Sequence, residues 1–257
     1  MRLENEVIVV TGSGRGIGKA IAGRLAAKGA KVVVNDIDEE VALATVEEIK
    51  QVGGQAISVV GSVANPEDAN RLIETAVSEF GTVHTLINNA AASKTNMIHK
   101  MTDQEWDIVV DVGLKGSFNC IRAVSPIFIE RGKKNPNAFS NGKIVNVTSI
   151  AGLTGTIGQI NYGAAKAGVV GLTMSAAREW GKYKIQSNAV AFGVVETRMT
   201  ETIRQDKFAD KYLSKIVLGR FATTDDVVPS VVFLASPSAN YITGHVLNVS
   251  GGYHIGV

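Results

Sequence analysis

VIVVTGSGRGIGKAIAGRLAAKG, residues 7–29, passes from strand to loop to helix without a break. Its first five residues form a short β-branched run, Gly12, Gly14, Gly16 and Gly18 follow, and AIAGRLAAKG places apolar residues three and four apart. Glycine is required in such a loop for two reasons. The tight turn needs unusual backbone angles, and backbone N–H groups can approach a pyrophosphate only where no Cβ intervenes. The helix N-terminus then adds partial positive charge. Strand, glycines and helix in this order predict a dinucleotide-binding site.

The same alternation continues outward from this unit. KVVVND, AISVVG, HTLINN, KIVNVTS, IQSNAVAFG and HVLNVSG are six more candidate strands, separated by helical patterns such as EDANRLIETAVSEFG. Repeated βαβ units imply an α/β fold: a Rossmann-type, doubly wound parallel sheet of about seven strands with helices on both faces. No linker, composition break or repeat divides residues 1–257, so one dinucleotide-binding and catalytic domain is expected. A long helix is predicted from about Thr102 to about Glu130, with Gly113 and Gly116 inside it. RGKKNPNAFSNGK, residues 131–143, reads as an exposed loop because of its turn signals and four basic residues.

With 45% hydrophobic and 19% charged residues, the chain has ample material for a core. A net charge of +2, with Lys and Arg scattered among Asp and Glu, excludes a nucleic-acid-binding tail. The start, MRLENEVIVVTG, has no basic-then-apolar leader, and no apolar run reaches the roughly 18 residues of a membrane span. A cytoplasmic protein with no membrane or nucleic-acid partner is expected. The one cysteine, Cys120, excludes an intrachain disulfide and reads as a packing residue. His84, His99, His245 and His254 lack metal-ligand spacing, so no metal site is expected.

KVVVND ends at Asp36, 18 residues beyond Gly18. That is close to the roughly 20 that separate the glycines from the acid holding the adenosine ribose. A carboxylate there accepts hydrogen bonds from both ribose hydroxyls and repels a 2′-phosphate, which points to NAD over NADP. Arg15 and Lys19 lie near enough in sequence to keep NADP open.

Tyr162 and Lys166 stand four residues apart in the helical pattern NYGAAKAGVVGLT and therefore share a face. Ser149 ends the strand KIVNVTS, 13 residues before Tyr162. No GxSxG elbow surrounds it, which argues against a serine hydrolase. Gly12, Asp36, Asn89, Ser149 and Gly193 all follow predicted strand ends, where parallel α/β sheets place ligands.

TGSGRGIG, the LINNA strand end, the Ser149/Tyr162/Lys166 set and the terminal ITGHVLNVSGG together resemble the short-chain dehydrogenase/reductase family. The similarity covers nearly the whole chain, on the single-domain branch that includes 3-oxoacyl-carrier-protein reductases. It implies a hydride transfer between a secondary alcohol or its ketone and nicotinamide, with 3-hydroxyacyl and 3-oxoacyl thioesters among the candidate substrates. Tyr162 would be the acid/base, Ser149 would orient the substrate oxygen, and Lys166 would bind the nicotinamide ribose. A phenol with a pKa near 10 is a poor base at neutral pH, and a nearby ammonium would lower it. Besides Gly12, Gly16, Gly18 and Asp36, the resemblance puts Ser13, Arg15, Ile17, Ser62, Val63, Asn89, Val195 and Thr197 on the cofactor, with Tyr162 and Lys166. It also implies a substrate lid around residues 194–220 and a homo-oligomer, tetramer or dimer. Arg198, Arg204, Lys207, Lys211 and Lys215 of the lid could meet an acidic substrate, but interleaved Glu201, Asp206 and Asp210 favour a solvated face.

Four positions depart from the family pattern. Gly113 stands where a fourth catalytic residue, an asparagine, is expected; Ala91 replaces a glycine; Ser62 replaces an adenine-contacting aspartate; and Phe192 replaces a proline, placing an aromatic ring near the nicotinamide. Two rival readings follow. One is an NADPH-dependent 3-oxoacyl reductase of fatty-acid-type synthesis, disfavoured by Asp36. The other is a cofactor-binding pseudoenzyme subunit of a hetero-oligomer, favoured by Gly113 and disfavoured by the intact Ser149, Tyr162 and Lys166.

Overall fold

The structure is a computed structural model that describes residues 2–256; the side chains of residues 206–208, and so Asp206 and Lys207 of the expected lid, lie outside the described residues. The elements run β1 (Val7–Thr11), α1 (Gly16–Ala26), β2 (Lys31–Asp36), α2 (Glu39–Gln51), β3 (Gln55–Val60), α3 (Pro66–Phe80) and β4 (Thr85–Asn88). They continue as α4 (Asp103–Val110), α5 (Gly116–Lys134), β5 (Gly142–Ser149), α6 (Ala151–Thr154), α7 (Ile160–Trp180), β6 (Ile185–Phe192), α8 (Asp206–Leu213), α9 (Thr224–Ala235) and β7 (Val246–Val249). Each strand anticipated in the sequence is present.

All seven strands are parallel, in the order β3-β2-β1-β4-β5-β6-β7. The chain leaves β1 in one direction and returns at β4 to build the other, so the switch point lies between β1 and β4. Side chains alternate across the strands, and both faces are covered. Ile8, Val10, Val32 and Val34 pack with Ile21, Leu25, Ala42 and Val231 of α1, α2 and α9. Val9, Val33, Leu86 and Ile144 pack with Leu72, Val124, Phe128 and Trp180 of α3, α5 and α7. Among the described residues no helix is long and apolar enough to cross a membrane.

The long helix predicted over 102–130 is interrupted. Thr102 and Glu105 form a reciprocal capping box that starts α4. Residues Asp111–Lys115 then form a π turn, with the Gly116 N–H donating to the Asp111 carbonyl five residues back. The predicted loop at 131–143 is also shorter, because α5 continues to Lys134 and β5 begins at Gly142. Two of its four basic residues, Arg131 in part and Lys143 fully, are drawn into the protein. Arg131 donates to the carbonyls of Val83 (2.6 Å) and Asn141 (3.0 Å), and Lys143, 6% exposed, donates to Gln186 Oε1 at 3.3 Å. Sequence polarity hid this because two of the partners, Val83 and Gln186, lie more than 40 residues away along the chain.

Candidate active site

The C-terminal ends of β1, β2, β4, β5 and β6 bring Gly12, Asp36, Asn89, Ser149 and Gly193 to one edge of the sheet. The glycine loop is built tightly there. Gly12 has φ +59°, and a Cβ on it would lie 2.8 Å from Ala90 Cα; a Cβ on Gly18 would lie 2.2 Å from the Gly12 carbonyl oxygen. Asn89 holds the loop against β4 by donating from Nδ2 to the carbonyls of Thr11 (3.0 Å) and Gly12 (2.9 Å). The Thr11 hydroxyl, which sequence reading did not single out, accepts the N–H groups of Asn89 and Ala90, both at 3.0 Å.

Asp36 reaches the same loop: Oδ2 accepts the Gly14 N–H at 3.0 Å and Oδ1 the Asp38 N–H at 3.3 Å. Arg15 is ion-paired with Asp38, and Lys19 with Glu48 at 2.7 Å. Thus both cations that lie near Asp36 in sequence already have carboxylate partners. A nicotinamide dinucleotide fits these residues. The first turn of α1 has neither an acidic residue nor a side-chain cap, which leaves its N–H groups for phosphate. A Cβ on Gly14 would come within 2.8 Å of the Asp36 carboxylate, so glycine is required for the two to share this space.

Ser149, Tyr162 and Lys166 meet where β5 abuts α7. Burial pushes the Tyr162 phenol up, and a hydrogen bond with Ser149 opposes the rise. Lys166, 3% exposed, is lowered by burial to about 8; its Nζ donates to the Val147 carbonyl at 2.7 Å and lies 5.7 Å from the centre of the Tyr162 ring. Burial is thus the larger influence on the phenol and the Ser149 hydrogen bond the opposing one, while burial of Lys166 favours its neutral amine.

Other predicted residues sit less openly. Ser13 is buried, with its N–H on the Asn35 carbonyl (2.8 Å) and its hydroxyl on that of Val10 (2.7 Å). Ile17 packs against the core, and Val195, 2% exposed, bridges to Ala222. Val63 packs on Gly116, and Ser62 donates its N–H to Asp68 at 2.9 Å. Thr197 lies over the phosphate loop, its Cγ2 3.9 Å from where a Gly16 Cβ would be. Phe192, whose ring the sequence puts near the nicotinamide, is 4% exposed and packs in the core layer of α9. In a buried parallel strand an aromatic ring gains more by packing there than by facing the polar edge.

The two glycines of the interrupted helix differ. A Cβ on Gly116 would strike Val63 Cγ2 at 2.5 Å, whereas one on Gly113 would meet only Ala165 Cβ at 3.6 Å. Leu114 fills the space above Gly168 of α7, so the π turn docks on both sides of Lys166 in sequence. The Ser117 hydroxyl donates to the Gly113 carbonyl at 2.9 Å. That serine had no recognisable signal in the sequence.

Comparisons with known proteins agree with this geometry. A family model described as Enoyl-(Acyl carrier protein) reductase matches residues 12–254. The 3-oxoacyl-(acyl-carrier-protein) reductase FabG of Staphylococcus epidermidis is 42% identical over 252 residues, 98% of this chain and 100% of that protein. Its counterpart from Thermotoga maritima is 38% identical, covering 98% of this chain and 99% of the other. A crystal structure of a protein proposed to be a short-chain alcohol dehydrogenase, from Sinorhizobium meliloti 1021, superposes with a TM-score of 0.89 at 33% identity, covering 98% of this chain and 97% of that one. On the motifs, the sheet order and these similarities, the chain belongs to the short-chain dehydrogenase/reductase family.

Proposed function

We propose that this oxidoreductase is NAD-dependent and moves a hydride between a secondary alcohol, or its ketone, and nicotinamide. The observation that carries the reading is the meeting of Ser149, Tyr162 and Lys166 beside the phosphate loop, with Tyr162 hydrogen-bonded to Ser149. Bound nicotinamide supplies the hydride donor or acceptor. Tyr162 gives or takes the proton at the substrate oxygen, Ser149 orients that oxygen, and Lys166 favours the phenolate when protonated. Gly12, Gly16, Gly18 and the first turn of α1 would hold the pyrophosphate, Asn89 would fix their loop, and Asp36 would take the ribose hydroxyls. Ser62, Val63, Val195 and Thr197 would complete the cofactor walls. NAD is favoured over NADP because Asp36 faces the loop and Arg15 and Lys19 are already paired.

Residues 1–257 would act as one catalytic domain with a lid around 194–220, in a cytoplasmic homo-oligomer, tetramer or dimer. Exposed Trp106, Ile108, Phe118 and Met174 on α4, α5 and α7 support such an assembly, which light scattering would test. A 3-oxoacyl thioester remains the second reading for the substrate. It is supported by the names of the curated relatives and by the exposed apolar side chains Met97, Ile98 and Ile157 on connecting segments and Leu153 on α6.

The test is turnover of a panel of hydroxyacyl thioesters, cyclic alcohols and sugars with NAD and with NADP. Tyr162→Phe is expected to lower turnover by roughly 10²–10⁴-fold, the usual weight of a general acid/base. Cofactor binding should persist. A pseudoenzyme subunit would lose no measurable activity, and a strong preference for NADPH would overturn the role given to Asp36.

A further inference from the structure

Helix α7, which carries Tyr162, opens without a side-chain cap from Gln159. The first N–H groups of a helix need partners outside its own ladder, and here one is supplied from within the first turn. Asn161, 0% exposed, accepts the Tyr162 N–H on Oδ1 at 2.8 Å. Its Nδ2 donates to two carbonyls on other segments, Lys94 at 3.0 Å and Glu105 at 2.8 Å. Both amide donors and the acceptor oxygen are thus engaged, each with a different part of the chain.

Those partners frame the site. Lys94 belongs to the loop that leaves Asn89 and Ala90 at the end of β4, and Glu105 to the first turn of α4. The loop has a second tie, made by Asn96. Its N–H donates to the Gly158 carbonyl at 2.9 Å, and its side chain to the Lys100 carbonyl (3.0 Å) and the Glu105 carboxylate (3.2 Å). Asn96 is more exposed than Asn161 and ties the loop to Gly158 and Glu105, with no bond to Tyr162.

We propose that Asn161 is a positioning residue that locks the 91–101 loop to the backbone of Tyr162, so that one wall of the substrate site and the acid/base keep a fixed relation. The proposal rests on the reading of Tyr162 as acid/base. A group that only filled buried hydrogen-bond needs would affect stability without separating loop order from catalysis.

Three measurements on the purified protein test it: hydrogen exchange over residues 91–101 and at Tyr162, NAD binding by calorimetry, and steady-state kinetics on the best alcohol of the panel. Asn161→Ala is expected to speed exchange at both places and leave NAD affinity near that of the parent. It should change kcat and KM together, lowering kcat/KM by roughly 10²-fold, the scale of a small misplacement of reacting groups. Asn96→Ala should speed exchange in the loop alone and raise KM with kcat unchanged. If Asn161→Ala does not fold, Asn161→Ser, one bond shorter, is measured in its place. Parent-like exchange in the Asn161 variant, or a KM effect alone like that of Asn96→Ala, overturns the proposal. Should the parent oxidise no alcohol, the functional reading fails, while exchange at Tyr162 and the loop still decides whether Asn161 joins them.

Discussion

Tyr162 and Lys166 are both shifted toward their neutral forms by burial, and this sets the pH behaviour of the site. With Tyr162 as the proposed base in the oxidising direction, the rate should rise with pH through its raised pKa. Ser149→Ala removes the one hydrogen bond that pulls this pKa down, and the rise should move to higher pH; a pH profile of kcat/KM reads the displacement. Lys166 carries a stability cost as well. Its pKa is about 8 in the fold and 10.5 when unperturbed. The unfolded chain therefore binds the extra proton between those values, so stability rises with pH across that window and the burial penalty is complete below about 8. Lys166→Met is thus expected to abolish turnover yet stabilise the fold at pH 7 by up to about 3 kcal/mol, reduced by the loss of its bond to Val147. Urea unfolding at pH 7 and pH 10.5 measures the gain and its disappearance.

The π turn at Asp111–Lys115 shows how an element can keep a bend after losing a side chain. Gly113 is buried but has room for a Cβ, while Gly116 has none. Gly113→Ala should therefore be tolerated, or stabilise by up to about 1 kcal/mol through lower backbone entropy in the unfolded chain. Gly116→Ala should cost about 1–3 kcal/mol by overpacking against Val63. Denaturant midpoints of the two variants give the comparison directly. Gly113→Asn retains the carbonyl and the bend, and is expected to sustain or raise turnover with folding intact; an abolished rate would mean that the position serves substrate space. The sequence made the strand ends, glycine loop and Ser149/Tyr162/Lys166 set legible because each is a local pattern or a fixed spacing. It hid the π turn, because a five-residue hydrogen bond leaves no mark on apolar periodicity. Asn161 and Ser117 were hidden for a related reason: their roles depend on which carbonyl lies opposite.

At the scale of the whole molecule the parallel sheet separates two polar edges. The C-terminal edge carries the proposed active site; the opposite edge holds Glu6, His84, Arg131 and Lys143 around a cavity of about 280 Å³. There His84 Nδ1 accepts the Val7 N–H at 2.9 Å, which ties the start of β1 to the start of β4 and requires a neutral ring nitrogen. Burial, and next the charge of Arg131, lower its pKa to about 4. An unfolded histidine titrates near 6.5, so between these values the unfolded chain binds the extra proton. Stability is then complete above about 6.5 and lost as pH falls toward 4, by up to about 3 kcal/mol. Glu6, raised by burial, has the opposite sign, because its protonation in acid favours the fold. His84→Asn retains an acceptor for Val7 but cannot titrate, and it leaves Glu6 in place. Unfolding free energies at pH 7, 5.5 and 4 should therefore fall less steeply in the variant than in the parent. Equal slopes would show that the acid sensitivity of this edge arises elsewhere than at the β1–β4 tie.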